Sequence, residues 1–308
     1  MCEFENNDIK NDIADELIDF IKKEVGVSKN HKIAYIGGDW FIKDEIIDLL
    51  VRSHCGVLVE VFGGGGAISA YAPRTVFKTI VYNDRDDLVY NFFKVLKEKP
   101  KELMRELVFM PFSRKLHRDL QDALETEEYR NMSDIEKAAL FFYLQIVSYS
   151  GTINKGFRVI KEAKKEHARS YLRKISSLSE MAKKWVDVVL ENRDFREILI
   201  LYDSPNTVFY CDPPYLFRDF YRLKFTHRDM KALLDMLAKI RGKFVLKLPE
   251  DHITVSYVNE FVMRYKIKTI EHQKSSQKTD AGQTRLRQKT ILIYNYTCRG
   301  VVDEMSGL

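Results

Sequence analysis

The sequence predicts an α/β fold with a mostly parallel sheet, helices on both faces of that sheet, and a helical insertion. Short runs of β-branched and aromatic residues alternate with amphipathic helical patterns along most of the 308 residues. Strands that alternate with helices are typical of parallel sheets joined by crossover helices. Residues 100–200 differ, because helical patterns follow one another there without a convincing strand. We therefore predict one α/β domain that is interrupted by a helical subdomain.

The individual elements follow from the same patterns. The clearest helix covers 227–241, where Thr226 is a candidate N-cap and Gly242 a candidate terminator. Inside the insertion, Ser133–Ser148 and about 160–191 have helical periodicity. Six strands are predicted, at Val57–Phe62, Thr79–Tyr82, Thr207–Cys211, Lys243–Leu248, Tyr265–Ile270 and Thr290–Tyr296.

The composition restricts the class of protein. Hydrophobic residues make up 45% and charged residues 31%, which indicates a folded globular chain. No uncharged apolar stretch approaches the ~18 residues of a membrane helix, and the acidic N-terminus does not look like a signal peptide. We expect a cytoplasmic protein that contacts no membrane. The cysteines are scattered, so neither a disulfide framework nor a metal site is expected at Cys2, Cys55, Cys211 and Cys298.

Positive charge is concentrated in two segments, although the net charge is only +5. Residues 151–185 hold ten Lys and Arg against three Glu, and residues 264–289 hold eight against Glu271 and Asp280. A solvated surface is the simpler interpretation of either segment alone. Two such segments in one chain favour contact with a phosphate backbone. The candidate contact residues are Lys155, Arg158, Lys161, Lys164, Lys165, Lys278, Arg285 and Arg287.

A glycine-rich turn follows the first predicted strand. Residues 57–68 read VLVEVFGGGGAI, in which four glycines precede a candidate helix start at Ala67. Glycines allow the backbone to turn sharply and to approach a ligand closely. Asp84 lies just beyond the second predicted strand, where a carboxylate can hold the hydroxyls of a ribose. The pair favours an adenosine-bearing cofactor over a plain β-to-α connection, but neither the GxGxxG nor the GK[ST] pattern is completed.

The third predicted strand ends in the most specific motif of the chain. Residues 207–215 read TVFYCDPPY, and ligands of open parallel sheets bind at such carboxyl ends of strands. Two consecutive prolines stiffen the loop, so that the Asp212 carboxylate and the Pro213 carbonyl can accept from one amino group. Tyr215 offers a ring face for stacking on a planar base.

With these motifs the sequence resembles the DNA adenine-N6 methyltransferases that use S-adenosyl-L-methionine, over about residues 33–296. The resemblance implies a Rossmann-like sheet with a helical target-recognition insertion. It also implies site-specific methyl transfer to the N6 amino group of an adenine that is flipped out of double-stranded DNA. The matching segments are AYIGGDW at 34–40, VEVFGGGGAI at 59–68, YNDRDDLVYNFF at 82–93, ENRDF at 191–195, YCDPPY at 210–215, GKFVLKL at 242–248 and KTILIYNY at 289–296.

The resemblance implies roles for single residues. Asp212 and Pro213, in a motif completed by Pro214, would hold the target amino group, and Tyr215 would stack on the flipped adenine. Asp84 would hold the ribose of the cofactor. The other cofactor-binding residues implied are Tyr35, Asp39, Phe62, Gly64, Gly66, Asp194 and Phe195, the last two at the cofactor's adenine.

The chain departs from the family pattern at three places. The N-terminal motif usually reads GGK, but Asp39 stands where the lysine is expected near cofactor and target base. Val61 and Gly63 replace the more usual proline and larger apolar residue around Phe62. The segment SYSGTINKGFRV at 148–159 is only loosely similar to the family's Asn- and Gly-rich stretch.

The predicted organisation is an N-terminal helical extension at 1–32, a catalytic domain at 33–99 and 192–298, a helical target-recognition subdomain at 100–191 and a tail at 299–308. We expect a monomer that binds double-stranded DNA; a cognate restriction endonuclease is left open. Cytosine-N4 and RNA adenine methylation remain alternatives, as does a catalytically silent DNA-binding relative. A nicotinamide oxidoreductase would leave the DPPY motif unexplained.

Overall fold

The computed structural model describes residues 2–28, 38–158, 166–217, 222–273 and 287–297. The chain divides into two compact units. One, the helical unit, comprises residues 1–37 and 87–186; the other, the sheet unit, comprises residues 38–86 and 187–308. The boundaries predicted from the sequence at 32, 99 and 191 stay predictions. No helix in the described ranges is long and apolar enough to cross a membrane.

Within the described residues, seven strands form one sheet in the order β3-β2-β1-β4-β5-β7-β6. Strands β1 to β5 are parallel, and β7 is antiparallel to both of its neighbours. The predicted mostly parallel α/β sheet is therefore confirmed. The strands are β1 Val57–Glu60, β2 Thr79–Asn83, β3 Val188–Glu191, β4 Thr207–Cys211, β5 Lys243–Pro249, β6 Lys266–Gln273 and β7 Arg287–Tyr294.

Strand β3 corrects the expectation that residues 100–200 hold no strand. It is an edge strand of four residues, paired only with β2 among the described strands. Val188 is buried but Val189 is 40% exposed. A short strand with one fully buried residue has too little alternation to be recognised from sequence.

The strand order places the carboxyl ends of β1 and β4 side by side. Strand β1 pairs with β2 on one side and with β4 on the other, with Glu60 opposite Tyr210. The direction in which strands are added reverses between β1 and β4, and ligands of open α/β sheets bind in the crevice at such a point. The glycine turn after β1, Asp84 after β2 and Asp212 after β4 thus lie at one edge of the sheet.

Both faces of the central strands are buried. Val59 and Phe209 belong to one apolar cluster, while Leu58 and Val208 point the opposite way and are equally inaccessible. Such double burial is expected of a parallel sheet covered on both faces. The helices of the sheet unit are α2 Lys43–Val51, α3 Ala67–Tyr71, α11 Phe195–Leu201, α12 His227–Leu237 and α13 Ser256–Val262.

The predicted helix at 227–241 is confirmed in position but ends earlier, at Leu237. Thr226 caps it as expected, in a capping box with Asp229. Gly242 does not end the helix. A Cβ at this position would lie 2.9 Å from two backbone carbonyl oxygens, those of Ser204 and Thr207, so glycine is needed for close approach of the chain.

The helical unit contains α1 and the helices between β2 and β3. Helix α8 begins at the capping box of Ser133 and Glu136, which confirms the predicted helix at 133–148. The helical pattern predicted at about 160–191 corresponds, in the described part, to two helices separated by Ser177, but its end forms β3 instead. The helices are α1 Cys2–Phe20, α4 Asp87–Glu98, α5 Pro100–Val108, α6 Arg114–Ala123, α7 Glu127–Asn131, α8 Asp134–Val147, α9 His167–Ser176 and α10 Leu178–Ala182.

Candidate active site

The turn after β1 is fixed by the neighbouring strand β2. The Gly63 N–H donates to the Asn83 carbonyl at 2.8 Å, and the Tyr82 hydroxyl donates to the Gly64 carbonyl at 2.8 Å. A Cβ on Gly63 would lie 2.1 Å from the Tyr82 ring. The fully buried Tyr82 therefore fills the space that a larger side chain at position 63 would need. Gly64 and Gly66 have φ angles of 48° and 64°, in the left-handed region that favours glycine.

The Asp84 carboxylate is tied directly to this glycine turn. Its Oδ2 accepts from the Gly64 N–H at 2.8 Å, and its Oδ1 accepts from the Asp86 N–H at 2.8 Å. Each oxygen keeps a further lone pair for a hydroxyl donor. Burial raises the pKa of Asp84 to about 6, although the two backbone bonds oppose this rise. The carboxyl group is thus mainly ionised at neutral pH.

Glu60, the last residue of β1, is a second buried carboxyl group at the same edge. It accepts from the backbone N–H of Ser69 at 2.8 Å and from the Ser69 hydroxyl. Burial raises its pKa to about 8, against the lowering effect of those bonds. Glu60 is therefore mainly neutral at pH 7.

An aromatic cluster lies beside the turn. The Phe62 ring centroid is 5.5 Å from that of Phe195 and 5.7 Å from that of Phe225. Asp194 is the N-cap of α11 and accepts from the Arg196 N–H at 3.0 Å. Its carboxylate also pairs with the guanidinium groups of Arg85 and Arg196. The sequence predictions for Phe62, Asp194 and Phe195 thus fall on neighbouring side chains.

The carboxyl end of β4 holds a buried ionic group of three residues. Lys247 Nζ, on β5, lies 2.8 Å from Asp212 Oδ2 and also donates to Asp39 Oδ1. The Tyr210 hydroxyl donates to the other Asp39 oxygen. Asp212 Oδ1 is buried and has no hydrogen-bond partner among the described residues. A buried acceptor without a donor is costly, and such an oxygen is the natural target of a donor on a ligand.

Charge and burial act against each other in this group. Burial raises the pKa of Asp212 to about 7, while the positive charge of Lys247 lowers it. Burial alone would lower the pKa of Lys247, but Asp212 and Asp39 raise it well above its usual value. Lys247 is therefore a cation at all physiological pH values.

The loop after the DPPY motif is held by His252. Its Nε2 accepts from the Leu216 N–H at 3.0 Å, so its proton is on Nδ1, which donates to Asp251 at 2.8 Å. The Tyr215 ring packs edge-on against the His252 ring at 5.6 Å. Lys247 Nζ lies 6.0 Å from the Tyr215 ring centroid. Pro213 is buried and Pro214 is partly buried in the same loop.

A comparison with models of protein families bears on the identity of the chain. The model of the D12 class N6 adenine-specific DNA methyltransferases matches residues 35–276. The chain belongs to this family. Membership confirms the resemblance predicted from the sequence, the enzyme class of adenine-specific DNA methyltransferase, and S-adenosyl-L-methionine as the cofactor.

No curated protein matches the methyltransferase significantly. Two solved structures share distant features with it. A precorrin 8w decarboxylase of Methanobacterium thermoautotrophicum is 10% identical, with a TM-score of 0.35, over 82% of this chain and 90% of that chain. A putative class I S-adenosylmethionine-dependent methyltransferase of Listeria monocytogenes is 10% identical, with a TM-score of 0.40, over 98% of this chain and 72% of that chain.

The residues of the methyltransferase fit its cofactor. The fixed Asp84 carboxylate suits ribose hydroxyls, the aromatic cluster at Phe62 and Phe195 suits an adenine ring, and the glycine turn allows close backbone approach. Asp39 is buried among protein side chains rather than presented to a ligand, so the predicted direct contact with the cofactor stays a prediction.

The predicted DNA-contacting residues belong to the helical unit or fall outside the described residues. Lys155 is exposed in the helical unit. Arg158 is partly buried and donates to the Ser148 carbonyl at 3.3 Å, which ties its guanidinium to the protein. The remaining predicted residues cannot be placed, because the described ranges exclude Tyr35, Lys161, Lys164, Lys165, Lys278, Arg285 and the side chain of Arg287.

Four residues at the site were missed by sequence reasoning, namely Lys247, Glu60, Phe225 and His252. A sequence signal existed for Lys247, which interrupts an otherwise buried apolar run from Phe244 to Leu248. Glu60 gave a similar signal at the end of β1. Phe225 and His252 lie outside every motif, and only the fold brings them to the site.

Proposed function

We propose that this methyltransferase transfers a methyl group to the N6 amino group of an adenine flipped out of double-stranded DNA, at specific sites. The single observation that supports this most strongly is the buried Oδ1 of Asp212 at the carboxyl end of β4, which has no hydrogen-bond partner in the described part of the chain. An amino group is the donor that this acceptor lacks.

The chemistry requires acceptors rather than a nucleophilic side chain. An amino nitrogen conjugated with an aromatic ring is a poor nucleophile, because its lone pair is delocalised into the ring. Hydrogen bonds from the amino group to the Asp212 carboxylate and the Pro213 carbonyl withdraw the lone pair from that conjugation. Holding the nitrogen in line with the methyl donor supplies the entropic part of the rate enhancement. As positive charge develops on the nitrogen, the nearby carboxylates stabilise it.

Cofactor binding is assigned mainly to the residues that follow β1 and β2, beside the Asp212 site at the end of β4. S-Adenosylmethionine, when bound, supplies an electrophilic methyl group on a sulfonium centre. Asp84 would accept from the ribose hydroxyls, and Phe62 and Phe195 would line the adenine. Gly64 and Gly66 would let the backbone approach the methionine end. These roles place donor and acceptor at the adjacent ends of β1 and β4.

The target base has to leave the duplex, because N6 inside a base stack cannot reach a buried methyl donor. Tyr215 would compensate part of the lost stacking, which is worth roughly 1–3 kcal/mol per base on an aromatic side chain. Phosphate contacts are assigned to the basic segments that contain Lys155 and Lys278. In this proposal, the helical unit carries target recognition.

The test is methyl transfer from labelled S-adenosylmethionine to genomic DNA, followed by modification-sensitive sequencing. We expect N6-methylated adenine within one short sequence context. The matched control is Asp212→Ala, which should abolish transfer and leave cofactor binding nearly unchanged. The proposal would be refuted if the label were transferred to RNA or to cytosine, or if the Asp212→Ala variant transferred it as well as the wild type.

A further inference from the structure

We infer that Lys247 is a positioning residue that fixes the Asp212 carboxylate for the target amino group, with Asp39 as its second counter-ion. The inference rests on the proposed function and assigns a role to a residue outside the DPPY motif. Lys247 comes from β5, and its two carboxylate partners come from position 39 and from the end of β4.

The sheet register brings these groups together. Strand β4 pairs with β5 so that Cys211 lies opposite Leu246, which places Lys247 beside Asp212. Cys211 and Leu246 point into the apolar cluster on one face of the sheet. Tyr210, Asp212 and Lys247 therefore point to the other face, where Asp39 meets them.

The burial of Lys247 argues against a merely structural role. The residue is 3% exposed, in a strand whose other buried side chains are apolar. Replacing a buried ion pair by apolar residues is often neutral or stabilising, so stability alone does not require a lysine here. The lysine does fix one carboxylate oxygen and leaves the other unpaired. That division gives Asp212 one oxygen held by the protein and one for a ligand.

The positive charge of Lys247 also lowers the pKa of Asp212 and so favours its ionised, accepting state. Without the cation, Asp39 and Asp212 would face each other as two buried carboxylates, and such a pair retains a proton. A protonated Asp212 is a poorer acceptor for an amino group. With the cation beside it, the Asp212 carboxylate is partly ionised at pH 7 and can accept from the amino group.

Other ionisable groups face Asp212, and they do not replace Lys247. Glu60 is mainly neutral at pH 7, because burial raises its pKa to about 8. Burial also raises the pKa values of the Tyr210 hydroxyl, the Cys211 thiol and the Tyr215 hydroxyl, which are neutral to begin with. Among the described residues, the titratable and charged groups around Asp212 are thus Asp39, Glu60, Tyr210, Tyr215 and Lys247, with the Cys211 thiol next to it in the chain but on the other face of the sheet.

The decisive experiment compares Lys247→Met with Lys243→Met. Both lysines lie on β5 and point to the same face, but Lys243 donates to the Ser53 carbonyl and is remote from Asp212. We would measure kcat for DNA methylation between pH 6 and 10, and the dissociation constant of S-adenosylmethionine. For Lys247→Met, kcat at pH 7 should fall at least about fivefold and recover at higher pH, because the pKa of Asp212 rises from about 7 by roughly a unit or more. Lys243→Met should retain the wild-type profile.

The exchange of charges gives a rescue test. Asp39→Lys combined with Lys247→Met restores one cation beside Asp212, so the acidic limb of the profile should return towards that of the wild type. Asp39→Lys alone should shift this limb to lower pH, and this variant still tests the inference if Lys247→Met fails to fold. The inference would be overturned if the acidic limb of the kcat profile stayed at the wild-type pH in Lys247→Met or in Asp39→Lys. It would also be overturned if Lys247→Met lowered kcat equally at every pH and Asp39→Lys did not restore it.

A measurement without DNA separates the inference from the proposed function. The carboxyl carbon of Asp212, assigned with Asp212→Asn, can be titrated by ¹³C NMR in wild type and in Lys247→Met. We expect a higher pKa in the variant, and equal values would overturn the inference. A wild-type protein that methylates no DNA would refute the proposed function alone, while the titration would still decide the role of Lys247.

Discussion

Asp84→Asn tests the hydrogen bonds that hold the cofactor's ribose. The Asp84 carboxylate accepts from the Gly64 and Asp86 N–H groups, and its remaining lone pairs are assigned to the ribose hydroxyls. The substitution removes the charge and one acceptor oxygen, so one charge-assisted contact is lost. That loss costs about 1–3 kcal/mol, which corresponds to binding weakened by roughly 5- to 150-fold.

The raised pKa of Asp84 adds a pH signature. Because that pKa is about 6, the carboxylate accepts from hydroxyls above this pH and is increasingly protonated below it. Wild-type affinity for S-adenosylmethionine should therefore fall below pH 6, by up to about tenfold per pH unit. The Asp84→Asn variant should lack this part of the pH dependence.

The effect of the Asp84 charge on the free energy of unfolding should be opposite to its effect on cofactor affinity. The pKa of Asp84 lies above its ordinary value of 3.8, so the folded protein binds more protons than the unfolded chain between these two values. The ionised, partly buried carboxylate thus lowers the free energy of unfolding at pH 7, by at most about 3 kcal/mol. Asp84→Asn removes the unfavourable charge and weakens one of the backbone N–H contacts of this side chain, and the two effects oppose each other. The Tm of the cofactor-free protein should therefore be unchanged or higher.

The assay is isothermal titration with S-adenosylmethionine at pH 5 to 8 and fixed ionic strength, together with thermal unfolding of the free protein. Asp87→Asn is the matched control, since this neighbouring carboxylate is exposed. A dissociation constant that is equal in wild type and Asp84→Asn at pH 7 would refute the assignment of the ribose to Asp84. A wild-type affinity that stays constant down to pH 5 would refute the role of its charge.

Three further substitutions have defined outcomes. Gly63→Ala places a Cβ against the Tyr82 ring and should lower the free energy of unfolding by ~1–3 kcal/mol in chemical denaturation, with Tyr82→Ala relieving part of the loss; full stability of the single variant would contradict the close packing. His252→Phe removes the acceptor of the Leu216 N–H and should lower kcat by roughly 5-fold or more, with cofactor affinity unchanged, because a buried N–H left unpaired costs ~1–3 kcal/mol; an unaltered kcat would show that the loop does not need this bond. Lys155→Ala should reduce the slope of log affinity for DNA against log salt by up to about 0.9, and an unchanged slope would return Lys155 to a solvated surface.

The parts of the fold that could be predicted from sequence are those with strong local signals. Strand β4 has the predicted bounds, Thr207–Cys211, because each of its residues is buried and the apolar run is continuous. The cap at Thr226 was recognisable because its partner Asp229 is three residues away. The edge strand β3 has no such run. Gly242 was misinterpreted because the contacts that require glycine come from a different segment of the chain.

The same distinction applies to the site. Asp212, Pro213 and Tyr215 were found because they are consecutive in a specific motif. Lys247 was missed because its partners, Asp39 and Asp212, lie 208 and 35 residues away along the chain. The position of Lys247 beside Asp212 follows from the register of β4 and β5, which the sequence does not display.

The central claim is that the Asp212 carboxylate directs methyl transfer to adenine N6 in DNA. Its most direct test is mass spectrometry of nucleosides from double-stranded DNA that has been incubated with the protein and S-adenosylmethionine. The wild type should produce N6-methyl-2′-deoxyadenosine as the single methylated nucleoside, and Asp212→Ala should produce none while still binding the cofactor. Methylated cytosine, or the same yield of methylated adenine from Asp212→Ala, would contradict the claim.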